Sequence, residues 1–166
     1  MSTVSFFDET HAHVLSATLK AVRRVRGLRA TETADALGMP LRSYEYFEGG
    51  EGKFDFLKVF QFARVTDTDP FAILAAIQLG DPEFAARSAD NKLMMLNYMS
   101  VGDLSGELGP DLAILDSAFI LAEFTETRRR LVAEVHRRQS LANAAAPVSD
   151  DDRPAPDVED GTPGPT

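Results

Sequence analysis

The chain has 166 residues, 44% of them hydrophobic, no cysteine and a net charge of −9. That length accommodates one domain, or a small domain with an accessory helical part, and the missing cysteine excludes disulfides, zinc-thiolate sites and a cysteine nucleophile together. The opening MSTVSFFDETHAH lacks the basic start and apolar centre of a secretory signal, and no apolar run reaches membrane-spanning length, so a soluble, cytoplasmic protein is expected.

The acidic total hides an uneven distribution. From Val14 to Val65 nine basic residues face six acidic ones, for +3, whereas Val148 to Thr166 holds six acids against Arg153, for −5. A mildly basic block joined to an acidic segment is compatible with a phosphate-binding domain carrying other parts.

In chain order, the pattern predicts an all-α protein. Leu15, Leu19 and Val22 recur at helical spacing up to a stop at Gly27. Thr31 to Leu37 forms a short helix ended by Gly38, and Pro40 opens another to Phe47. Gly49, Gly50 and Gly52 force a loop, Phe54 to Arg64 is a fourth helix, and Asp69-Pro70 caps and starts a fifth that runs through Leu79. A first domain closes near Gly80. Asp81-Pro82 repeats the start signal, Leu93, Met94, Leu96 and Met99 share a face of a later helix, and Gly102, Gly106, Gly109 and Pro110 break the chain. Leu112 to about Leu141 is again helical, with an interruption expected near Asp116-Ser117, and the Pro-, Asp- and Gly-rich remainder is expected to be disordered.

Two short helices joined by a tight turn at Leu37-Gly38-Met39 make a unit that can place the second helix in a major groove about 12 Å wide. The stretch LKAVRRVRGLRATETADALGMPLRSYEYFEGG resembles the XRE family, the helix-turn-helix type of Cro and the phage repressors. The features that carry the resemblance are a basic first helix, Gly27-Leu28, the small Ala34, Leu37-Gly38 at the turn, Phe47, and Glu48-x-Gly50 after the second helix. With Phe54 to Leu74 supplying the last two helices, it covers about half of the chain.

The resemblance implies a five-helix DNA-binding domain over residues 14–80, with Arg23 and Glu48 as a structural ion pair. It implies contacts to double-stranded DNA from Leu41, Arg42, Ser43, Glu45 and Tyr46 on the recognition helix, with Lys53 on a flanking phosphate, while Tyr44 turns into the core. The chain departs from the family pattern at Arg29 and Ala30, where a polar cap and glutamine are usual, and at Thr33, which replaces a leucine.

Other motifs carry less. The loop GGEGK fails as a phosphate-cradling motif, because Phe47 and Phe54 stand where glycine and Ser or Thr are needed. His11 and His13 fall about 200° apart around a helix, so no shared metal site is expected, and His136 has no acid or nucleophile partner. Arg128 to Arg130 read as one face of a solvated helix through Glu126–Arg130 and Glu134–Arg138 spacing. Met94, Met95 and Met99 read as core, and no latent-protease region follows. The expectation is therefore a sequence-specific, nucleoid-associated transcription regulator of repressor type. It is not an enzyme and uses no cofactor or metal. It is a homodimer built through a helical region at 81–145, chiefly from about Leu93 to Val135, with an arm at 1–13 and an acidic tail at 146–166. The alternative, from a different class, is a helical adaptor or antitoxin-like module with weak DNA affinity.

Overall fold

The computed structural model describes residues 9–145, and every regular element among them is helical: α1 (Glu9–Val25), α2 (Ala30–Ala36), α3 (Leu41–Glu48), α4 (Phe56–Val65), α5 (Pro70–Leu79), α6 (Phe84–Arg87), α7 (Leu93–Leu108), a 3₁₀ segment (Gly109–Ile114) and α8 (Ser117–Ala145). The expected arm and tail fall largely outside these residues, although His11 and His13 belong to the first turns of α1. Among the described residues no helix is long and apolar enough to cross a membrane, and no cluster of metal-ligating side chains forms.

The first five helices end in one way. After α1 to α4 the second residue past the helix end, and after α5 the first, has a left-handed backbone, and two amide hydrogen bonds close the last turn, as in Leu28 N–H to Arg23 O (3.1 Å) with Gly27 N–H to Arg24 O (3.0 Å). Gly27, Gly38, Gly50 and Gly80 take that position after α1, α2, α3 and α5. Asp67, with φ of 47°, takes it after α4. Its backbone is held from outside the turn: Arg26 Nη2 donates to Asp67 O (2.7 Å), and Lys92 Nζ donates both to that carbonyl and to the Asp67 carboxylate.

The core is built from Leu15, Leu19 and Val22 of α1, Ala34 of α2, Tyr44 and Phe47 of α3, Val59 and Phe62 of α4, and Ala72, Ile73, Ala76 and Ile77 of α5. It does not stop at Gly80. Ala85 of α6 belongs to the same cluster and Met94 of α7 packs against it, so the first compact unit runs to Leu112 rather than to the closing point expected at Gly80. Two further links hold α7. Phe71 of α5 stacks on Tyr98 (4.2 Å between ring centres, 16° between planes), and the fully buried Asp69 carboxylate joins two helix starts. Its Oδ1 accepts from Phe71 N–H (3.0 Å) and Ala72 N–H (3.2 Å) at the start of α5, and its Oδ2 accepts from Met95 N–H (2.8 Å) in the first turn of α7.

Gly102 and Gly106 do not break the chain as expected. They lie inside α7, whose backbone hydrogen bonds carry it to Leu108, and the break falls at Gly109. The second unit begins at Ala113. Asp116 caps the start of α8 by accepting from Phe119 N–H (2.9 Å), which places the interruption where it was expected. Not one residue of α8 is buried.

Candidate nucleic-acid interface

The outward face of α3 follows from which of its residues the core takes. Tyr44 and Phe47 point inward with Glu48, one turn and a little apart, leaving Leu41, Arg42, Ser43, Glu45 and Tyr46 exposed together on the other side. α2 lies behind α3. The two are joined by residues 37–40, where Gly38 (φ 66°) reverses the chain and Met39 N–H returns to Ala34 O (3.1 Å). Ala34, with no accessible surface, lets the helices approach closely.

An ion pair fixes the far end of α3 to α1. Arg23 Nε donates to Glu48 Oε1 at 2.6 Å and Arg23 Nη2 to Glu48 Oε2 at 3.2 Å, a two-pronged contact in which the fork of the guanidinium matches the carboxylate. Sequence reasoning did not find its two extensions. The buried Tyr44 hydroxyl donates to Glu48 Oε1 (2.7 Å), and Arg23 Nη1 donates to Leu28 O (3.1 Å) in the loop before α2. The Tyr44–Glu48 spacing of four residues was the available signal. Burial first, and then the bond to Glu48, push the Tyr44 phenol well above its usual range, while the same carboxylate raises Arg23.

The loop after α3 is set by close contacts. A Cβ on Gly50 would stand 2.4 Å from Ala12 O of α1, and one on Gly52 would stand 2.9 Å from the Tyr46 ring. Tyr46 therefore lies along the loop that carries Lys53. Together they line a cleft of about 440 Å³ with Glu51, Phe54, Phe56 and Lys58.

The cations of the first unit divide into two groups. Arg23, Arg26, Arg29, Lys58, Arg87 and Lys92 are each committed to a carboxylate. Among the described residues Lys20, Arg42, Lys53 and Arg64 take part in no such pair, and of these Arg42 and Lys53 lie on or beside the exposed face of α3. Ser43 adds a donor and acceptor, Tyr46 a donor with an aromatic face, and Glu45 an acceptor, so the face can donate to phosphates or base edges and accept from an amino group.

The start of α2 is closed to anions. Glu32 accepts from the Arg29 N–H (2.7 Å) and from Arg29 Nη2 (2.7 Å), which puts a carboxylate over the amides of the first turn and holds the Glu32 carboxyl below its usual range. Thr33, where the resembling family commonly has leucine, is buried without leaving its hydroxyl unsatisfied, because the hydroxyl donates to Arg29 O (3.0 Å). Comparisons of the chain with protein-family models, with curated proteins and with solved structures return no match.

Proposed function

We propose that the protein is a sequence-specific DNA-binding transcription regulator of the XRE helix-turn-helix type, acting as a homodimer, with α3 as its recognition helix. The observation that carries this reading is the composition of the exposed α3 face: Arg42 and Lys53, which pair with no carboxylate, stand on or beside Ser43, Glu45 and Tyr46, while Arg23, Arg26 and Arg29 are held in internal pairs. In this reading Arg42 addresses guanine, Ser43 and Glu45 address base edges, Leu41 packs on a thymine methyl, and Tyr46 and Lys53 position the domain on phosphates. The α1–α3 ion pair is structural and touches no DNA.

A second reading, a helical adaptor or antitoxin-like module, draws support from the self-closed start of α2 and from Leu41, Phe56 and Leu57, which expose apolar surface next to the same face. Binding to genomic fragments at 50 and 200 mM salt separates the two. A DNA regulator loses affinity steeply with salt as counterions return to the phosphates. Absent or salt-insensitive binding would favour the adaptor.

A further inference from the structure

We infer that α8 is the dimerisation element and that it pairs with α8 of a second copy in antiparallel orientation, about a two-fold axis between Thr127 and Arg128. This deepens the homodimeric part of the function proposed above and is independent of whether the protein binds DNA.

The large apolar residues in the middle of α8 gather on one side of it. At about 100° per residue, Ile120, Phe124, Leu131 and Val135 fall on one stripe, with Leu121 and Val132 along its edge. Across the helix lie Glu126, Arg130 and Arg137, with Arg130 paired to Glu126 (3.1 Å) and Arg137 to Glu134 (2.7 Å) on the flank, while Arg138, also bonded to Glu134 (2.7 Å), and Arg128 stand at the azimuth of the stripe. Those pairs leave the apolar stripe, with the unpaired Arg128 near its middle, as the surface that needs cover.

That surface has the extent a dimer needs. The six apolar residues are between 37% and 67% exposed. At roughly 150–200 Å² per large side chain they amount to about 500 Å² per chain, close to the apolar share, about two-thirds, of the about 800 Å² that each partner buries in a stable dimer.

The spacing selects the partner and its direction. The stripe runs Ile120, Phe124, Leu131, Val135, with intervals of four, seven and four residues, and is therefore symmetric about its midpoint. A two-fold axis there sets Ile120 against Val135 of a second copy and Phe124 against its Leu131, so every large residue meets another. The edge residues Leu121 and Val132 are two positions out of that register and flank the paired residues. An isologous contact needs such self-complementarity, and a sequence meant for an unrelated partner has no reason to show it.

The chain has no cysteine, so introduced thiols report the geometry without background. Light scattering on the full chain should show a dimer at micromolar concentration. Thr127→Cys, beside the axis, should cross-link to itself on mild oxidation. An equimolar mixture of Ile120→Cys and Val135→Cys should give the mixed disulfide in several-fold excess over either self-paired product. Efficient self-pairing of both single variants would mean a parallel pair and would overturn the inference. A dimer by scattering in which none of these thiols cross-links would place the interface elsewhere, leaving the dimeric reading intact but not this one. A monomer would remove both.

Discussion

Arg23 and Arg42 show how one residue type serves two ends within 20 positions of chain. Arg23 is three-quarters buried and holds Glu48, so Arg23→Ala leaves a carboxylate, with only 7% of its side chain exposed, relying on the Tyr44 hydroxyl alone. We expect a loss near the lower end of the about 3–5 kcal/mol typical of a broken buried pair, read as a lower midpoint in urea. An unchanged midpoint would refute the structural role. Arg42 touches nothing of the core. Arg42→Ala should keep the wild-type melting temperature while discriminating less well between operator and random DNA, by about 1–3 kcal/mol if its contact is bidentate to a base; equal operator affinity in mutant and parent would remove it from the interface. The pairing of Arg23 with Glu48 could be anticipated because the resemblance supplied the register. The third partner, Tyr44, could be placed in the core only by its position on α3, since a phenol in the core advertises no hydrogen-bond partner by its identity.

Among the elements, helix ends were legible where a glycine or a capped proline wrote them. Gly27, Gly38 and Gly80 end helices, and Asp69-Pro70 starts one. The end of α4 was less so, because Asp67 takes a left-handed backbone through bonds from Arg26 and Lys92 that lie 41 and 25 residues away. Gly102 and Gly106 misled in the opposite direction: a glycine weakens a helix by about 1 kcal/mol and does not by itself break it. Two glycines of similar backbone differ in what surrounds them. At Gly38 an added Cβ meets nothing within 4 Å, whereas at Gly50 it meets the α1 carbonyl of Ala12. Gly38→Ala should cost about 1–2 kcal/mol, the left-handed penalty alone, and Gly50→Ala distinctly more, with the α1–α3 contact displaced. Equal losses in thermal unfolding would show that the contact yields freely. In α8, the bonds from Arg137 and then Arg138 hold Glu134 at about 2 instead of 4.5. Because the folded value is depressed, this contribution to helix stability is complete above about pH 4.5 and disappears as pH falls toward 2. A carboxyl NMR titration of Glu134 with its midpoint near 4.5 would refute these pairs.

For the whole molecule, the helical class was readable from periodicity, but the reach of the first unit was not. Past Gly80 the buried residues Ala85 and Ala89 are too small to register as a core face, and the large residues packed against the core, Phe84 and Met94, are too far apart to form a periodic one. A short start signal at Asp81-Pro82 also leads only into the four residues of α6. The charge sum was equally uninformative. What marks the α3 face is that two unpaired cations, Arg42 and Lys53, stand beside exposed hydrogen-bonding side chains, a three-dimensional grouping that composition does not record.

The two oxygens of Asp69 differ in a way that bears on the order in which the chain assembles. Oδ1 takes amides two and three residues ahead, while Oδ2 takes one 26 residues ahead. Local bonds form with little loop closure and distant ones only after a long segment has been gathered in. The cap on α5 should therefore be in place before α7 docks, and α7 should be the first of these elements to leave when the native protein breathes. Native-state hydrogen exchange makes the sequence visible: the Met95 amide should open with a smaller free energy than the amides of Phe71 and Ala72. If all three exchange through one common opening, the carboxylate is a single latch that closes once, and α7 folds as an inseparable part of the core beneath it.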